Sequence, residues 1–117
     1  MMFESADIVN AFYIPVTNSM NIFAGILNKP VYDKDASYAA NLGAIGMVIG
    51  HEIGHAFDNS GAQYDEIGRK INWWTEKDEV EFKKKQEHFV KYSSRFEVID
   101  DVVQDSEITI GENMADF

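Results

Sequence analysis

Residues 43–57 read Gly-Ala-Ile-Gly-Met-Val-Ile-Gly-His-Glu-Ile-Gly-His-Ala-Phe, and this stretch, which holds a single acidic residue, decides the fold. Ser37 before it is a favoured N-cap residue, and the polar residues 58–61 after it are typical of a helix end. The sequence therefore predicts a helix from about Tyr38 to Phe57. Each glycine inside it costs about 1 kcal/mol relative to alanine. We expect a buried central helix that tertiary packing stabilises.

This helix carries the sequence His51-Glu52-Ile53-Gly54-His55. Residues four apart on a helix lie about one turn apart along the axis and about 40° apart around it. Both imidazoles can therefore bind one Zn²⁺, at about 2.0–2.1 Å. Glu52 lies about 100° around the axis from His51, which suits a general base acting on water at the metal. The alternative is that both histidines are core residues bonded to backbone carbonyls.

A third zinc ligand is a requirement of a catalytic site, and residues 109–116 supply a candidate. Glu112 and Asp116 are four residues apart and would share a helix face. Glu112 could bind the metal while Asp116 accepts the other ring N–H of a ligand histidine. The alternative is that Thr109 and Glu112 form a capping box and Asp116 is solvated. Spacing alone leaves both interpretations open.

Composition excludes several classes of protein. The 117 residues include no cysteine, which removes a disulfide framework, a thiolate zinc finger and a cysteine nucleophile. Twenty acidic and ten basic residues give a net charge of −10, which argues against nucleic acid or an anionic membrane as partner. The longest apolar run, residues 42–50, is far shorter than the roughly 18 residues of a membrane span. No targeting segment is visible, and cytoplasmic, exported and membrane-anchored parents all remain open.

Two further regions have clear secondary-structure patterns. Residues 8–14 are rich in β-branched and aromatic side chains and are followed by Pro15, which predicts an edge strand. A second short strand is predicted within Asn18–Ala24. Thr75 opens a second helix that runs to about Arg95, with a phenylalanine every seven residues. The expected class is α+β, mostly helical.

The rest of the chain is predicted to be irregular. Tyr64–Asn72 is expected to form a loop or a short hairpin. A polar connection containing Asp100, Asp101 and Asp105 precedes Ile108. The apolar residues expected in the core are Ile45, Val48, Ile49, Ile53, Phe57, Trp73, Phe82 and Phe89.

Together these motifs resemble the neprilysin family of zinc endopeptidases, which includes the endothelin-converting enzymes and bacterial oligopeptidases. The resemblance rests on residues 51–58, His-Glu-Ile-Gly-His-Ala-Phe-Asp, and on residues 111–116, Gly-Glu-Asn-Met-Ala-Asp. It extends to residues 9–13, Val-Asn-Ala-Phe-Tyr, which look like that family's substrate-binding strand. Residues 24–27, 43–50 and 72–74 match as well, so the resemblance covers nearly the whole chain in order.

The resemblance implies a role for each matching residue. His51, His55 and Glu112 would bind one zinc ion per chain, and Glu52 would activate water. Asp116 would orient His51. Asn10 and the backbone of Ala11 would hold an extended peptide as an added strand. Asp58 is either a similar partner of His55 or a plain helix-terminal residue.

The implied fold is part of a zincin-like catalytic lobe with an edge substrate-binding strand. Residues 1–117 would be the N-terminal part of one peptidase catalytic domain, without the family's helical lid domain. The implied reaction is cleavage of oligopeptides on the amino side of hydrophobic residues. No residue here takes the role of the family's transition-state-stabilising histidine or substrate-binding arginine, so we expect the isolated chain to be weak or inactive.

Two other outcomes stay open. One is a non-catalytic module that binds zinc or peptide, and the other is an unrelated globular protein with histidines in its core. Peptides are the expected partners, with no nucleic acid and no membrane within these residues. We also expect exposed apolar faces to favour a dimer of the chain.

Overall fold

The computed structural model describes Ser5, residues 7–99 and residues 102–117. It is an α+β fold, mostly helical, which confirms the expected class. Its elements, in chain order, are β1 (Ala11–Ile14), β2 (Ser19–Ile22), α1 (Tyr38–Gly43), α2 (Ile45–Gly54), α3 (Glu76–Ser93), β3 (Glu97–Ile99), β4 (Val102–Val103) and α4 (Ile110–Ala115).

The first two strands form an antiparallel hairpin in which Ala11 lies opposite Ile22 and Ile14 opposite Ser19. Asn18 makes the turn with a positive φ of 44°, a conformation that asparagine tolerates better than most residues. Both predicted strands are confirmed, with narrower bounds. The backbone N–H of Phe23 donates to the carbonyl of Asn10 (3.2 Å), which fixes the alternation of the ladder. Ala11 and Tyr13 therefore direct their backbone N–H and C=O groups away from β2.

A glycine in the loop that follows α2 allows this loop to pack closely against the hairpin. Gly68 has a φ of 81°, which L side chains rarely adopt, and a Cβ atom there would collide with the carbonyl oxygen of Val16. An isolated antiparallel bridge between Tyr64 and Lys70 closes this loop. The segment is therefore a loop with one bridge, which agrees with the predicted loop or short hairpin.

The predicted helix over residues 38–57 is broken, which corrects the sequence interpretation. α1 ends at Gly43, Ala44 takes non-helical angles (φ −109°, ψ −90°), and α2 begins at Ile45. The break follows a glycine because glycine weakens a helix most among the residues found there. The start is as predicted, since the Ser37 hydroxyl accepts the N–H of Ala40 at 3.2 Å. After Gly54 the chain tightens into a 3₁₀ turn, His55–Phe57.

The second helix, α3, has nearly the predicted bounds. The Thr75 hydroxyl accepts the N–H of Asp78 at 3.2 Å, which is the expected N-cap. Phe82 stacks near Trp74, with ring centroids 5.0 Å apart, and Phe89 meets Phe117 edge-to-face at the same distance. No described helix is both long and apolar enough to cross a bilayer.

The polar connection after α3 contains a short hairpin, β3 with β4, that the sequence did not predict. Strands of two and three residues carry too little periodicity to detect. Asp105 lies in the turn before α4, and its carboxylate accepts the N–H of Glu107 and of Ile108, each at 3.2 Å. Asp100 and Asp101 lie outside the described residues.

The core cluster joins β1 to α2 and contains Ala11, Ile26 and Ile45, with Val48 and Ile49 packed against it. Phe82 and Phe89 are half-buried. The expectation was wrong for three residues: Ile53, Phe57 and Trp73 are 53%, 59% and 45% exposed. β1 and α4 both pack against α2, but Ile53 lies on a part of the helix that they leave exposed.

Candidate metal centre

The imidazoles of His51, on α2, and of His55, in the 3₁₀ turn that follows it, form the centre of the site. The Nε2 atoms of His51 and His55 are 2.9 Å apart, and the two rings are nearly perpendicular. Each side chain is about one-fifth exposed, 20% for His51 and 19% for His55. The four-residue spacing therefore brings both rings to one point, as the sequence predicts.

A carboxylate from α4 completes the cluster. Glu112 Oε2 lies 3.2 Å from His51 Nε2 and 3.6 Å from His55 Nε2. The predicted ligands His51, His55 and Glu112 thus present three donor atoms that all lie within 4.8 Å of one another.

Gly54 is what lets α4 come so close to α2. A Cβ atom built on Gly54 would lie 2.8 Å from the backbone of Ala115, closer than real side chains approach.

The capping-box alternative is wrong, because Thr109 makes no side-chain cap to the helix. Its hydroxyl instead donates to the carbonyl of Asp105, at 3.0 Å.

Carboxylates hold the outer nitrogen of each ring. His51 Nδ1 is 2.8 Å from Asp116 Oδ1, and His55 Nδ1 is 2.7 Å from Asp58 Oδ2. A carboxylate beside Nδ1 favours a proton on that nitrogen and leaves a lone pair on Nε2. The alternative of core histidines bonded to backbone carbonyls is therefore wrong for both rings.

Asp58 is the better anchored of the two carboxylates. Its side chain is only 8% exposed, whereas that of Asp116 is 65% exposed. Asp58 Oδ1 accepts the backbone N–H groups of Ser60 and Gly61, both at 2.7 Å. Of the two interpretations of Asp58, the structure favours the partner of His55.

The donor set fits a zinc ion. Protons on both Nδ1 atoms leave three lone-pair atoms, two nitrogens and a carboxylate oxygen, converging without a donor among them. Such a group repels itself unless a proton or a cation lies between its members. Three ligands of a tetrahedral Zn²⁺ at about 2.0–2.1 Å would lie about 3.3 Å apart. The observed separations of 2.9, 3.2 and 3.6 Å bracket that value.

Glu52 lies beside the cluster as a buried carboxylate, only 6% exposed. It lines the same cleft as the three candidate ligands, a space of about 510 Å³. Among the described residues it has no hydrogen-bond or ion-pair partner.

The predicted peptide-binding residues lie along the same cleft. Asn10 and Ala11 line it, and β1 runs past the metal cluster. In this structure the Asn10 side-chain oxygen accepts the N–H of Ala11, at 2.8 Å. Among the described residues, β1 pairs with β2 only, so the other edge of β1 faces the cleft.

Tyr13 is a cleft residue that the sequence analysis did not single out. Its hydroxyl donates to Asn18 Oδ1 at 2.7 Å. Burial raises the pKa of Tyr13, and the negative charge of Asp58 raises this pKa further. The signal was available, because Tyr13 shares a strand face with Ala11.

A helix that carries two histidines and a glutamate, with a later carboxylate as third donor, defines the class of HExxH metallopeptidases. More specifically, the chain belongs to peptidase family M13, whose family model matches residues 10–117. It is 46% identical over 110 residues to Neprilysin-1 of Trittame loki, covering 93% of this chain and 15% of that protein.

Solved structures agree with this assignment. The crystal structure of PepO from Lactobacillus rhamnosis matches with a TM-score of 0.92 at 39% identity, covering 99% of this chain and 18% of that one. Zinc metalloprotease Zmp1 of Mycobacterium tuberculosis, in complex with an inhibitor, matches with a TM-score of 0.90 at 38% identity, covering 98% and 18%. The chain thus spans less than a fifth of the length of each relative.

Proposed function

We propose that this chain carries the metal-binding and peptide-binding elements of a zinc-dependent endopeptidase. The observation that carries the proposal is the convergence of three lone-pair atoms, from His51, His55 and Glu112, within 4.8 Å. A buried carboxylate and an unpaired strand edge line the same cleft. Membership of a metallopeptidase family supports it independently.

We assign His51, His55 and Glu112 as the ligands of one zinc ion. Zinc, when bound, supplies Lewis-acid polarisation of a carbonyl and lowers the pKa of a coordinated water. Asp116 and Asp58 keep the two imidazoles in the tautomer that offers Nε2, through the short contacts to Nδ1.

Glu52 is the general base of the proposal. Its carboxylate takes a proton from the attacking water and passes that proton to the amine that leaves. Glu52 lines the cleft, so a water molecule there can reach its carboxylate. The Glu52 side chain lines the cleft but is not among the three residues that could bind the metal ion.

The peptide is proposed to lie along β1. Ala11 and Tyr13 present backbone N–H and C=O groups to the cleft side, two residues apart, as pairing with one more strand requires. The Asn10 amide would exchange its bond to Ala11 N–H for bonds to the peptide. The proposed preference for cleavage on the amino side of hydrophobic residues rests on the family resemblance, and Phe12 and Pro15 add apolar surface to the cleft.

Hydrolysis by the 117-residue chain alone is expected to be slow. The cleft is lined by no lysine, arginine or third histidine of the described residues. His88, the remaining histidine of the sequence, lies on α3 beside Phe89 and Phe117. Loss of one oxyanion donor costs about 10²–10³ in rate in other hydrolases. The same lining favours the second candidate function, a module that binds zinc and peptide without turnover.

The test combines metal and peptide measurements. We expect the metal-free chain to bind one zinc ion in calorimetric titration, and Glu52→Gln to bind zinc with unchanged affinity. With a quenched fluorescent peptide in long incubations, we expect slow cleavage by the zinc-loaded chain and at least about a 100-fold loss in Glu52→Gln. Mass spectrometry of the products identifies the residue that follows the cleaved peptide bond.

Each outcome has a distinct meaning. A folded chain without stoichiometric zinc would overturn the proposal. Zinc and peptide binding with no cleavage, even in the longest natural polypeptide that contains this sequence, would establish the binding module instead. Equal cleavage by Glu52→Gln would reject Glu52 as the base while leaving the metal site intact.

A further inference from the structure

The Thr109 hydroxyl, which forms no helix cap, is the centre of a hydrogen-bond network. It donates to the carbonyl of Asp105 at 3.0 Å and accepts N–H groups from two side-chain amides, Gln104 at 2.7 Å and Asn113 at 3.1 Å. The Gln104 amide also donates to Asn113 Oδ1, at 3.0 Å. Three side chains, those of Gln104, Thr109 and Asn113, therefore form a closed ring of hydrogen bonds, which we call the Thr109 network.

The Thr109 network is fully bonded at its centre. A hydroxyl has one donor hydrogen and two acceptor lone pairs, and Thr109 uses all three. All three residues of the network are half-buried. Loss of the hydroxyl would leave one N–H group of each amide without its acceptor, which is costly away from bulk water. Such a network holds the segments that it joins in one arrangement.

The helix that carries Asn113 and Glu112, α4, depends on tertiary contacts for its position. It has six residues and no side-chain N-cap. Helices shorter than about 12 residues are marginal by themselves in water. The Glu112 side chain is 67% exposed, so its own packing does not fix its carboxylate. The position of this carboxylate therefore follows from how the neighbouring residues of α4 are held.

Two contacts on different sides of α4 set its rotation about its own axis. Ala115 lies against Gly54 of α2, and Asn113 is bonded in the Thr109 network. Positions 112 and 115 lie about 60° apart around a helix, whereas positions 112 and 113 lie about 100° apart. Glu112 and Ala115 therefore both turn towards α2, while Asn113 turns towards Gln104.

We propose that Thr109 and Asn113 are positioning residues of the metal centre and act through Glu112. The network joins the turn before α4 to the first turn of this helix. It thereby sets where the Glu112 carboxylate meets the two histidines, 3.2 Å from His51 Nε2 and 3.6 Å from His55 Nε2. Thr109 and Asn113 are not among the residues that line the cleft, so their effect on zinc is indirect. The inference rests on the proposed function, because it needs zinc at this site.

Asn113→Ala is the sharpest test, because two effects oppose each other in it. Alanine is a better helix former than asparagine, so helix propensity alone would stabilise α4. Loss of the network should instead weaken zinc binding about 10-fold, the lower end of the range for partners outside the ligand set. Thr109→Val, which removes the hydroxyl, should have the same effect. Thr109→Ser keeps the hydroxyl and should bind zinc like the original chain.

Thr75→Val is the matched control. The Thr75 hydroxyl caps α3 by accepting the N–H of Asp78, far from the metal cluster in sequence. Its loss should lower the midpoint of urea unfolding but leave zinc affinity unchanged. Competition with a chromophoric zinc indicator measures the affinities, under conditions in which circular dichroism shows every metal-free chain to be folded.

Combination with Glu112→Ala separates positioning from a general structural role. In the Glu112→Ala chain, Asn113→Ala should change zinc affinity by less than about twofold, since the group that the network positions is already gone. A further loss as large as that in the original chain would show that the network supports the histidines instead, and would overturn the inference. Unchanged zinc affinity in Asn113→Ala or in Thr109→Val would overturn this inference alone. A folded original chain that binds no zinc would overturn the proposed function as well.

Discussion

Replacing Asp58 by asparagine should lower the zinc affinity of the chain while leaving its fold intact. The Asp58 carboxylate bonds His55 Nδ1 through one oxygen and two backbone N–H groups through the other. Asparagine keeps an oxygen for the two backbone groups and turns its NH₂ group towards Nδ1. That NH₂ group favours the other tautomer of His55, in which the proton lies on Nε2 and blocks the lone pair that zinc needs.

The magnitude follows from the burial of this contact. Loss of an outer partner of a ligand histidine typically costs 10–100-fold in metal affinity, or about 1.4–2.7 kcal/mol. Asp58 is 8% exposed, so water cannot easily replace it, and we expect a loss of about 100-fold. Asp116 is 65% exposed, so water can replace it, and Asp116→Asn should cost only about 10-fold.

Competition with a chromophoric zinc indicator at neutral pH measures these affinities. Asp35→Asn is the control, because the Asp35 side chain is 70% exposed and pairs with the exposed Lys34, away from the metal cluster. Circular dichroism of the metal-free chains checks that the fold is unchanged. The tautomer argument would be refuted if Asp58→Asn bound zinc as tightly as the original chain. It would also be refuted if Asp58→Asn lost less zinc affinity than Asp116→Asn.

Three further outcomes are expected. Glu112→Ala should weaken zinc binding at least about 100-fold in the same competition assay while Glu107→Ala does not, since one of three ligands is lost. Gly68→Ala should lower the free energy of unfolding by about 1–3 kcal/mol in urea titration, because its φ of 81° and its contact with Val16 exclude a side chain. Burial alone would raise the pKa of Asp65, but hydrogen bonds from Arg69 and Ile67 and the guanidinium charge of Arg69 outweigh it and lower this pKa. The stability that Asp65 contributes is therefore present above its unfolded pKa of about 3.9 and lost as pH falls through the lower folded value. Thermal melts of Asp65→Asn should show a shallower loss of stability below about pH 4 than melts of the original chain.

Short-range rules account for what the sequence predicted well. Thr75 and Ser37 cap their helices as expected, because N-capping depends on residues only three apart. The pairing of His51 with His55 is a property of one helical turn and needed no tertiary information. The two strands of the first hairpin were likewise visible in local composition.

The assignment of Glu112 as the proposed third ligand depended on tertiary contacts that spacing could not establish. Glu112 fitted a capping box as well as a metal site, and only the approach of α4 to Gly54 decides between them. The same holds for Asp58, whose burial and backbone contacts arise from the turn at Ser60 and Gly61. Family resemblance supplied these roles where physical spacing left alternatives.

The misjudged residues share a cause. Ile53, Phe57 and Trp73 are apolar, and hydropathy alone assigns apolar residues to a core. Whether a core forms around them depends on which elements pack on that side. The break at Ala44 escaped detection because helix propensity is a weak prior in a glycine-rich stretch.

The place of Glu112 on a helix far along the chain from the two histidines also bears on how the molecule assembles. All of α3 lies between these groups, so their meeting closes a long loop and costs conformational entropy that grows only slowly with loop length. A zinc ion bound by both groups would close that loop, and unfolded chains, which hold the groups apart, would bind the ion poorly. Each tenfold excess of free zinc over its dissociation constant would therefore add about 1.4 kcal/mol to the free energy of unfolding of the chain. A chelator that removed this zinc ion would therefore lower the stability of the whole chain, because the ion would join the two histidines of its first half to Glu112 in α4.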